Sequence, residues 1–251
     1  MFSKLPRPAI LAHRGASAYA PENTLAAFKL ALEQSADGFE LDATLTGDGH
    51  VVVLHDDDVD RTTDGSGAVA EMMLDEVRQL DAGSWFSDEF KGEGVPTLAE
   101  VFGAVGNVTI INVELKNYAS LWDDLPNKTV ELVRAYGLTD RVFFSSFNPI
   151  ALIKAQRAAP EIPVGLLAMP GRSGAWARSF LGRLIPHQAL HPEFTDVTPQ
   201  MIARAHRSGR LVNTYTVDEA EDMRRLFEWG IDSIITDDPR LGVQVRAEVM
   251  D

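Results

Sequence analysis

Short apolar runs alternate along this chain with longer stretches in which apolar positions recur every three or four residues. The short runs fall at 9–12, 38–41, 51–54, 108–113, 142–144, 163–167, 211–215 and 233–235, and the helix-period stretches at 24–34, 119–136, 150–158, 198–207 and 219–229. Apolar runs this short, with no polar alternation, suit strands covered on both faces. With helices between them they predict a parallel sheet, and about 250 residues of βαβα order is enough to close it into an α/β TIM (β/α)8 barrel. The helix punctuation agrees. Asn148-Pro149 and Thr198-Pro199 place proline at a first turn, and Gly137, Gly209 and Gly230 follow helix ends.

One segment breaks the alternation. From about 56 to 96 the chain is rich in Asp, Thr, Gly and Ser, with one short helical stretch near 74–80. Structureless loops of that length are uncommon inside a compact domain. The segment is expected to be a small insertion after the second strand region, over the barrel mouth. No repeat or linker divides the rest, so residues 1–251 are read as a single barrel domain.

Composition narrows the function classes. The 251 residues contain no cysteine, which rules out thiolate nucleophiles and thiolate metal sites. The formal net charge of −14 argues against nucleic acid and anionic membranes as partners, because both select basic surfaces. The stretch between Glu100 and Glu114 is the longest without charge and too short to span a bilayer, and MFSKLPRPAI has no leader-like apolar core. A cytoplasmic protein without stable membrane insertion is the expectation. Any anionic small molecule it handles requires positive charge supplied locally, by a metal ion or a few basic side chains.

In a barrel of this type chemistry sits at the C-terminal strand ends. The first predicted strand ends in Ala12-His13-Arg14-Gly15, with Pro21-Glu22-Asn23-Thr24 just beyond it. In Gly38-Phe39-Glu40-Leu41-Asp42 a period of two puts Glu40 and Asp42 on one face. Two carboxylates aimed together into a barrel repel, and a divalent cation resolves the conflict. Glu114 and Lys116 share a face at the end of another strand, so Glu114 can complete a three-carboxylate oxygen site and Lys116 can meet a phosphate oxygen. The run 51–54 ends in His55, a second acid/base candidate at the same face. His191 is a minor candidate for the rim, and Trp85 and Phe86 either meet an acyl chain or pack the insertion. Read singly each motif is ordinary: a strand-end histidine is usually structural, a Glu-x-Lys pair is usually a surface ion pair, and Asn23 or Thr24 can simply cap a helix. Their joint placement at several strand ends is what points to chemistry.

The stretch from AHRGASAYAPENTL through FELDATLTGDGHVVVLHDDDVDRTTDGSG, followed by VPTLAEVF, NVELK, FFSSFNP, VNTYTVD and IITDDP, resembles the glycerophosphodiester phosphodiesterase family over most of the chain. The resemblance implies a TIM barrel that hydrolyses glycerophosphodiesters, as small-molecule substrates, to glycerol 3-phosphate and an alcohol. It implies His13 and His55 as the catalytic acid/base pair, and Glu40, Asp42 and Glu114 as ligands of one divalent cation, Ca²⁺ or Mg²⁺. Arg14 and Lys116 correspond to the phosphate contacts, with Glu22 and Asn23 as the supporting PEN motif. Tyr215 stands where many relatives carry tryptophan, which keeps an aromatic wall but changes its shape. Residues 168–190 align only loosely. A lysophospholipase D-like phosphodiesterase on the same barrel and a non-catalytic phosphometabolite-binding barrel are the alternatives. No Ser or Cys sits beside either histidine in a nucleophile motif, so the nucleophile is expected to be the substrate's own neighbouring hydroxyl, or water.

Overall fold

The computed structural model describes residues 6–250. Its strands are β1 (Ala9–His13), β2 (Gly38–Leu45), β3 (Val51–Val53), β4 (Ile110–Leu115), β5 (Val142–Ser146), β6 (Val164–Ala168), β7 (Ala189–Pro192), β8 (Leu211–Thr214) and β9 (Ser233–Thr236). Its helices are α1 (Leu25–Glu33), α2 (Leu74–Val77), α3 (Leu98–Val105), α4 (Leu125–Ala135), α5 (Pro149–Ala158), α6 (Pro199–Arg207), α7 (Ala220–Glu228) and α8 (Pro239–Met250). Eight of the strands are parallel and run in the order β1-β9-β8-β7-β6-β5-β4-β2, and β1 pairs with β2 to close the ring. This is the expected TIM barrel.

Two strands differ from the sequence expectation. The run 51–54 is as apolar as a barrel strand, but β3 pairs antiparallel with β2 outside the ring and begins the insertion. The missing barrel strand is β7, whose four residues Ala-Leu-His-Pro contain a histidine and a proline and therefore carry no continuous apolar signal. Burial decides here. All four residues of β7 are buried, pinned between β6 and β8. Two helices, α3 and α8, also lie outside the expected set, and α4 starts six residues later than the period suggested, at Leu125 with Pro126 in its first turn.

Each barrel strand sends alternate residues to two different cores. Phe39 and Leu41 of β2 and Ile111, Val113 and Leu115 of β4 face outward, into a cluster with the surrounding helices. There Phe39 stacks on Phe28 of α1 with centroids 4.5 Å apart. The inward set is smaller. Leu11, Ile110, Phe143 and Ile235 form an apolar plug within the barrel. Gly165 lies against His191 there, and a Cβ at 165 would approach the histidine Nε2 to 2.3 Å. The local chain ends are secured by side chains: Thr24 accepts from the Ala27 N–H at the start of α1, Asn148 caps α5 ahead of Pro149, and Thr97 and Glu100 form a reciprocal cap on α3.

The insertion has a core of its own, in which Leu54, Val59, Val69, Leu74, Val77 and Ala82 gather beside Val52 of β3. Between β6 and β7 the ring has no α-helix, only two short 3₁₀ turns at 171–174 and 182–184. No described helix is long and apolar enough to cross a membrane.

Candidate active site

Strand register builds the centre of the site. His13 lies opposite Glu40 across β1 and β2, while Glu40 lies opposite Asn112 and Asp42 opposite Glu114 across β2 and β4. Because Phe39 and Leu41 face the outer helices, Glu40 and Asp42 must face in. The result is a cluster in which Glu40, Asp42 and Glu114 each offer an oxygen within 4.8 Å of the others. Glu40 and Asp42 retain 3% and 1% of their accessible surface.

Such crowding has an electrostatic cost. Burial, with Asp42 and Glu114 nearby, pushes the Glu40 carboxyl well above its ordinary range. Burial acts on Asp42 in the same direction, but Arg14, Lys116, His55 and Asn23 outweigh it and hold Asp42 down at about 2. Glu40 Oε1 is buried without a hydrogen-bond partner. An orphaned carboxylate oxygen beside two further carboxylates, all hard oxygen donors, fits a divalent cation site.

The cationic side of the site comes from the β1–α1 turn. Arg14 and Asn23 adopt left-handed backbone conformations, φ 55° and 59°, and Gly15 follows at φ 85°. A Cβ at position 15 would come within 2.6 Å of Ala27, so only glycine fits this turn. The Arg14 N–H donates to Glu40 (3.2 Å), and its carbonyl accepts from the Asn23 N–H (2.9 Å). These bonds hold a conformation that costs about 1–3 kcal/mol per non-glycine residue. The Arg14 side chain donates to Glu22 (2.8 Å) and lies 3.2 Å from Asp42. Asn23 donates to Asp42 at 2.9 Å. Glu22 and Asn23 thus hold Arg14 and Asp42 in place.

Both histidines are locked in the same manner. His13 Nδ1 lies 2.6 Å from Asp237, and His55 Nδ1 lies 2.5 Å from Asp56. The paired carboxylates accept the Nδ1 protons, and neither Nε2 makes a hydrogen bond among the described residues. Asp237 also accepts from Ser17 (3.0 Å) and Asp56 from Arg61 (2.6 Å). Burial alone would raise both aspartates, but their hydrogen-bonded partners, His13 for Asp237 and Arg61 with His55 for Asp56, keep them below the usual carboxylate range. Arg61 continues to Glu22 through two bonds of 2.8 Å. An unbroken chain therefore runs His55–Asp56–Arg61–Glu22–Arg14–Asp42 and ties the insertion to the carboxylate cluster.

Lys116 sits 3.5 Å from Glu114 and 3.8 Å from Asp42, 5.1 Å from the ring of Tyr118, whose hydroxyl donates to Glu114 (2.8 Å). Tyr215 lines the cavity shared by His13, Glu40 and Glu114, and its hydroxyl donates to the Ala168 carbonyl (2.9 Å). All ten residues expected at the site lie at this end of the barrel. His191 does not. It is fully buried in the barrel interior, where it accepts from Asn213 at 3.0 Å, so it is not on the rim. Trp85 donates to the Ala82 carbonyl and packs edge-on against Phe86, which packs on Phe90, so these aromatics pack the insertion itself. Asp237, Asp56, Arg61 and Tyr118 were missed in the sequence. Asp56 and Asp237 were visible there only as acids in the LHDDD and ITDDP strings.

The sequence matches the profile of the glycerophosphoryl diester phosphodiesterase family over residues 13–241. It is 41% identical over 231 residues to a glycerophosphodiester phosphodiesterase of Caldanaerobacter subterraneus subsp. tengcongensis, covering 92% of this chain and 94% of that protein. It is 32% identical to a glycerophosphodiester phosphodiesterase of Bacillus altitudinis, covering 96% and 98%. Among solved structures it resembles an Oleispira antarctica phosphodiesterase in complex with the product sn-glycerol-3-phosphate. The TM-score is 0.89 and the identity 33%, with 98% of each chain covered.

Proposed function

The chain belongs to the glycerophosphoryl diester phosphodiesterase family and hydrolyses glycerophosphodiesters to glycerol 3-phosphate and an alcohol, and we propose that His13 and His55 transfer the protons while Glu40, Asp42 and Glu114 hold a divalent cation. One observation carries the proposal: two histidines, each fixed through Nδ1 by an aspartate, flank a cluster of three carboxylates with an orphaned oxygen. The cation, Ca²⁺ or Mg²⁺, supplies positive charge to the non-bridging phosphate oxygens.

Arg14 and Lys116 add positive charge on the same side and position the diester. The substrate's glycerol carries a hydroxyl beside the phosphorylated carbon, and such a neighbour attacks with an effective molarity of up to ~10⁵–10⁸ M when well oriented. One histidine Nε2 accepts the proton of that hydroxyl as its oxygen bonds to phosphorus. The other donates a proton to the alcohol oxygen as its bond to phosphorus breaks. The roles then reverse: water, deprotonated by the second histidine, opens the cyclic 1,2-phosphate, and the first returns its proton to the glycerol 2-oxygen. Tyr215 supplies the aromatic wall against which the glycerol is oriented.

Chelation tests the cation and a substrate analogue tests the nucleophile, both read by release of glycerol 3-phosphate or the alcohol. Exhaustive EDTA should abolish turnover and either Ca²⁺ or Mg²⁺ restore it, whereas full activity in EDTA defeats the cation site. A diester with hydrogen in place of the neighbouring hydroxyl should bind without cleavage. Cleavage at the normal rate would establish direct attack by water.

A further inference from the structure

The chain as a whole is acidic, yet between Glu161 and Glu193 it has no acidic residue and three arginines, Arg172, Arg178 and Arg183. This segment is the helix-less crossover from β6 to β7. It also exposes Met169, Trp176, Phe180, Leu181 and Leu184, with Phe180 71% and Leu184 65% accessible. Soluble surfaces carry such residues singly. Aromatic and aliphatic side chains interleaved with arginine, in a segment without acids, form the composition of an interfacial membrane contact.

Beside these side chains lies a cavity of about 250 Å³ lined by Arg183, Arg204 and Arg210 among others. Arg210 is held by the His187 carbonyl (3.3 Å) and Ser208 (3.2 Å), and Arg178 is neutralised by Asp196 at 2.9 Å. The guanidinium groups of Arg183 and Arg204 make no hydrogen bond or ion pair among the described residues. Two unpaired guanidinium groups on one cavity favour an anion, and their planar forks match phosphate oxygens. The crossover leaves β6 at the active end of the barrel. Leu167 lines the His13 cavity, and the next carbonyl, that of Ala168, binds Tyr215.

We propose that this crossover docks the enzyme on an anionic phospholipid surface. Phe180, Leu181 and Leu184 enter the headgroup layer, and Arg183 and Arg204 grip a lipid phosphate. The net charge of −14 does not oppose this. At physiological salt a charge is felt over only about 8–10 Å, so the local excess of arginine governs the encounter. The whole-chain charge, read from sequence as unfavourable to anionic membranes, hides that local excess.

Co-sedimentation of the full chain with vesicles tests the proposal without reference to turnover. The chain should bind phosphatidylserine–phosphatidylcholine vesicles about tenfold or more tightly than phosphatidylcholine alone, and raising NaCl from about 0.05 to about 0.3 M should weaken binding severalfold. Phe180→Ser/Leu181→Ser/Leu184→Ser and, separately, Arg183→Ala/Arg204→Ala should each weaken it by about tenfold or more. Hydrolysis of a soluble glycerophosphodiester and thermal stability should not change. Failure to bind the anionic vesicles, or equal binding to phosphatidylcholine alone, overturns the proposal. So does a homodimer dissociated by the same substitutions in place of vesicle binding. An arginine-dependent rise in melting temperature with inorganic phosphate, in a chain that ignores vesicles, overturns it as well.

Discussion

Asp237 and Asp56 perform one task from opposite ends of the site. Each carboxylate fixes a histidine tautomer by accepting from Nδ1, which leaves Nε2 available for the proposed proton transfer. His13→Ala and His55→Ala are each expected to lower kcat by ~10²–10⁴-fold with the fold intact, and the double variant to lose far less than the product of the two. Asp237→Asn should lower kcat by a smaller factor, because the carboxamide oxygen can still accept from Nδ1 but brings no charge. Steady-state kinetics with circular dichroism would decide, and native turnover in any of the three single variants removes that residue from the mechanism. Arg14→Lys should lose at least about tenfold, since an ammonium cannot address Glu22 and Asp42 at once. The inward pair Glu40 and Asp42 was legible from a two-residue period alone. Asp237 was not, because its partner lies 224 residues away and no local spacing announces such a contact. Arg61 was hidden for the same reason, inside an insertion whose composition says only that it is a loop.

At the level of elements, the strands that sequence revealed are those whose apolar run matches their burial. The run 51–54 and the strand β7 show the limits of that signal, since the first is apolar but lies outside the ring and the second, short and broken by His191, lies within it. Pairing partners, which no run of residues contains, make the difference. The outward faces of the strands carry the stability. Phe39→Ala removes the partner of Phe28 from a fully buried contact and should cost about 3–5 kcal/mol in urea unfolding. A cost below about 1 kcal/mol would show that α1 is not held to β2 through this stack. Glu40 and Asp42 alternate with Phe39 and Leu41 on the opposite face, so a one-residue slip of β2 would exchange the carboxylates for apolar side chains. Correct register is thus demanded by stability and by the site together.

Across the whole molecule, acid should act first through His191. Burial, reinforced by His187, pushes this imidazole down to about 3. A depressed folded value means the stabilisation is complete above the unfolded pKa near 6.5 and is lost as pH falls from there towards 3. The slope is about 1.4 kcal/mol per pH unit, so His191 accounts for roughly 2 kcal/mol of lost stability between pH 7 and pH 5. Denaturant titrations at both pH values should show this loss in the native chain and its absence in His191→Gln; equal losses would contradict it. The closure of the ring has a consequence for how the protein is made. Strand β1 finds its second partner only in β9, and His13 its carboxylate only in Asp237. At about 5–20 residues per second, a ribosome needs roughly 10–45 s to go from one to the other. Once Glu114 has been made, the nascent chain carries the PEN turn, the carboxylate cluster and His55, but until β9 emerges it has an open sheet whose unpaired edges invite association with other chains. The growing polypeptide is therefore most exposed to aggregation just before it becomes an enzyme, and a chaperone that covered the β1 edge until β9 emerged would raise the yield of active barrels.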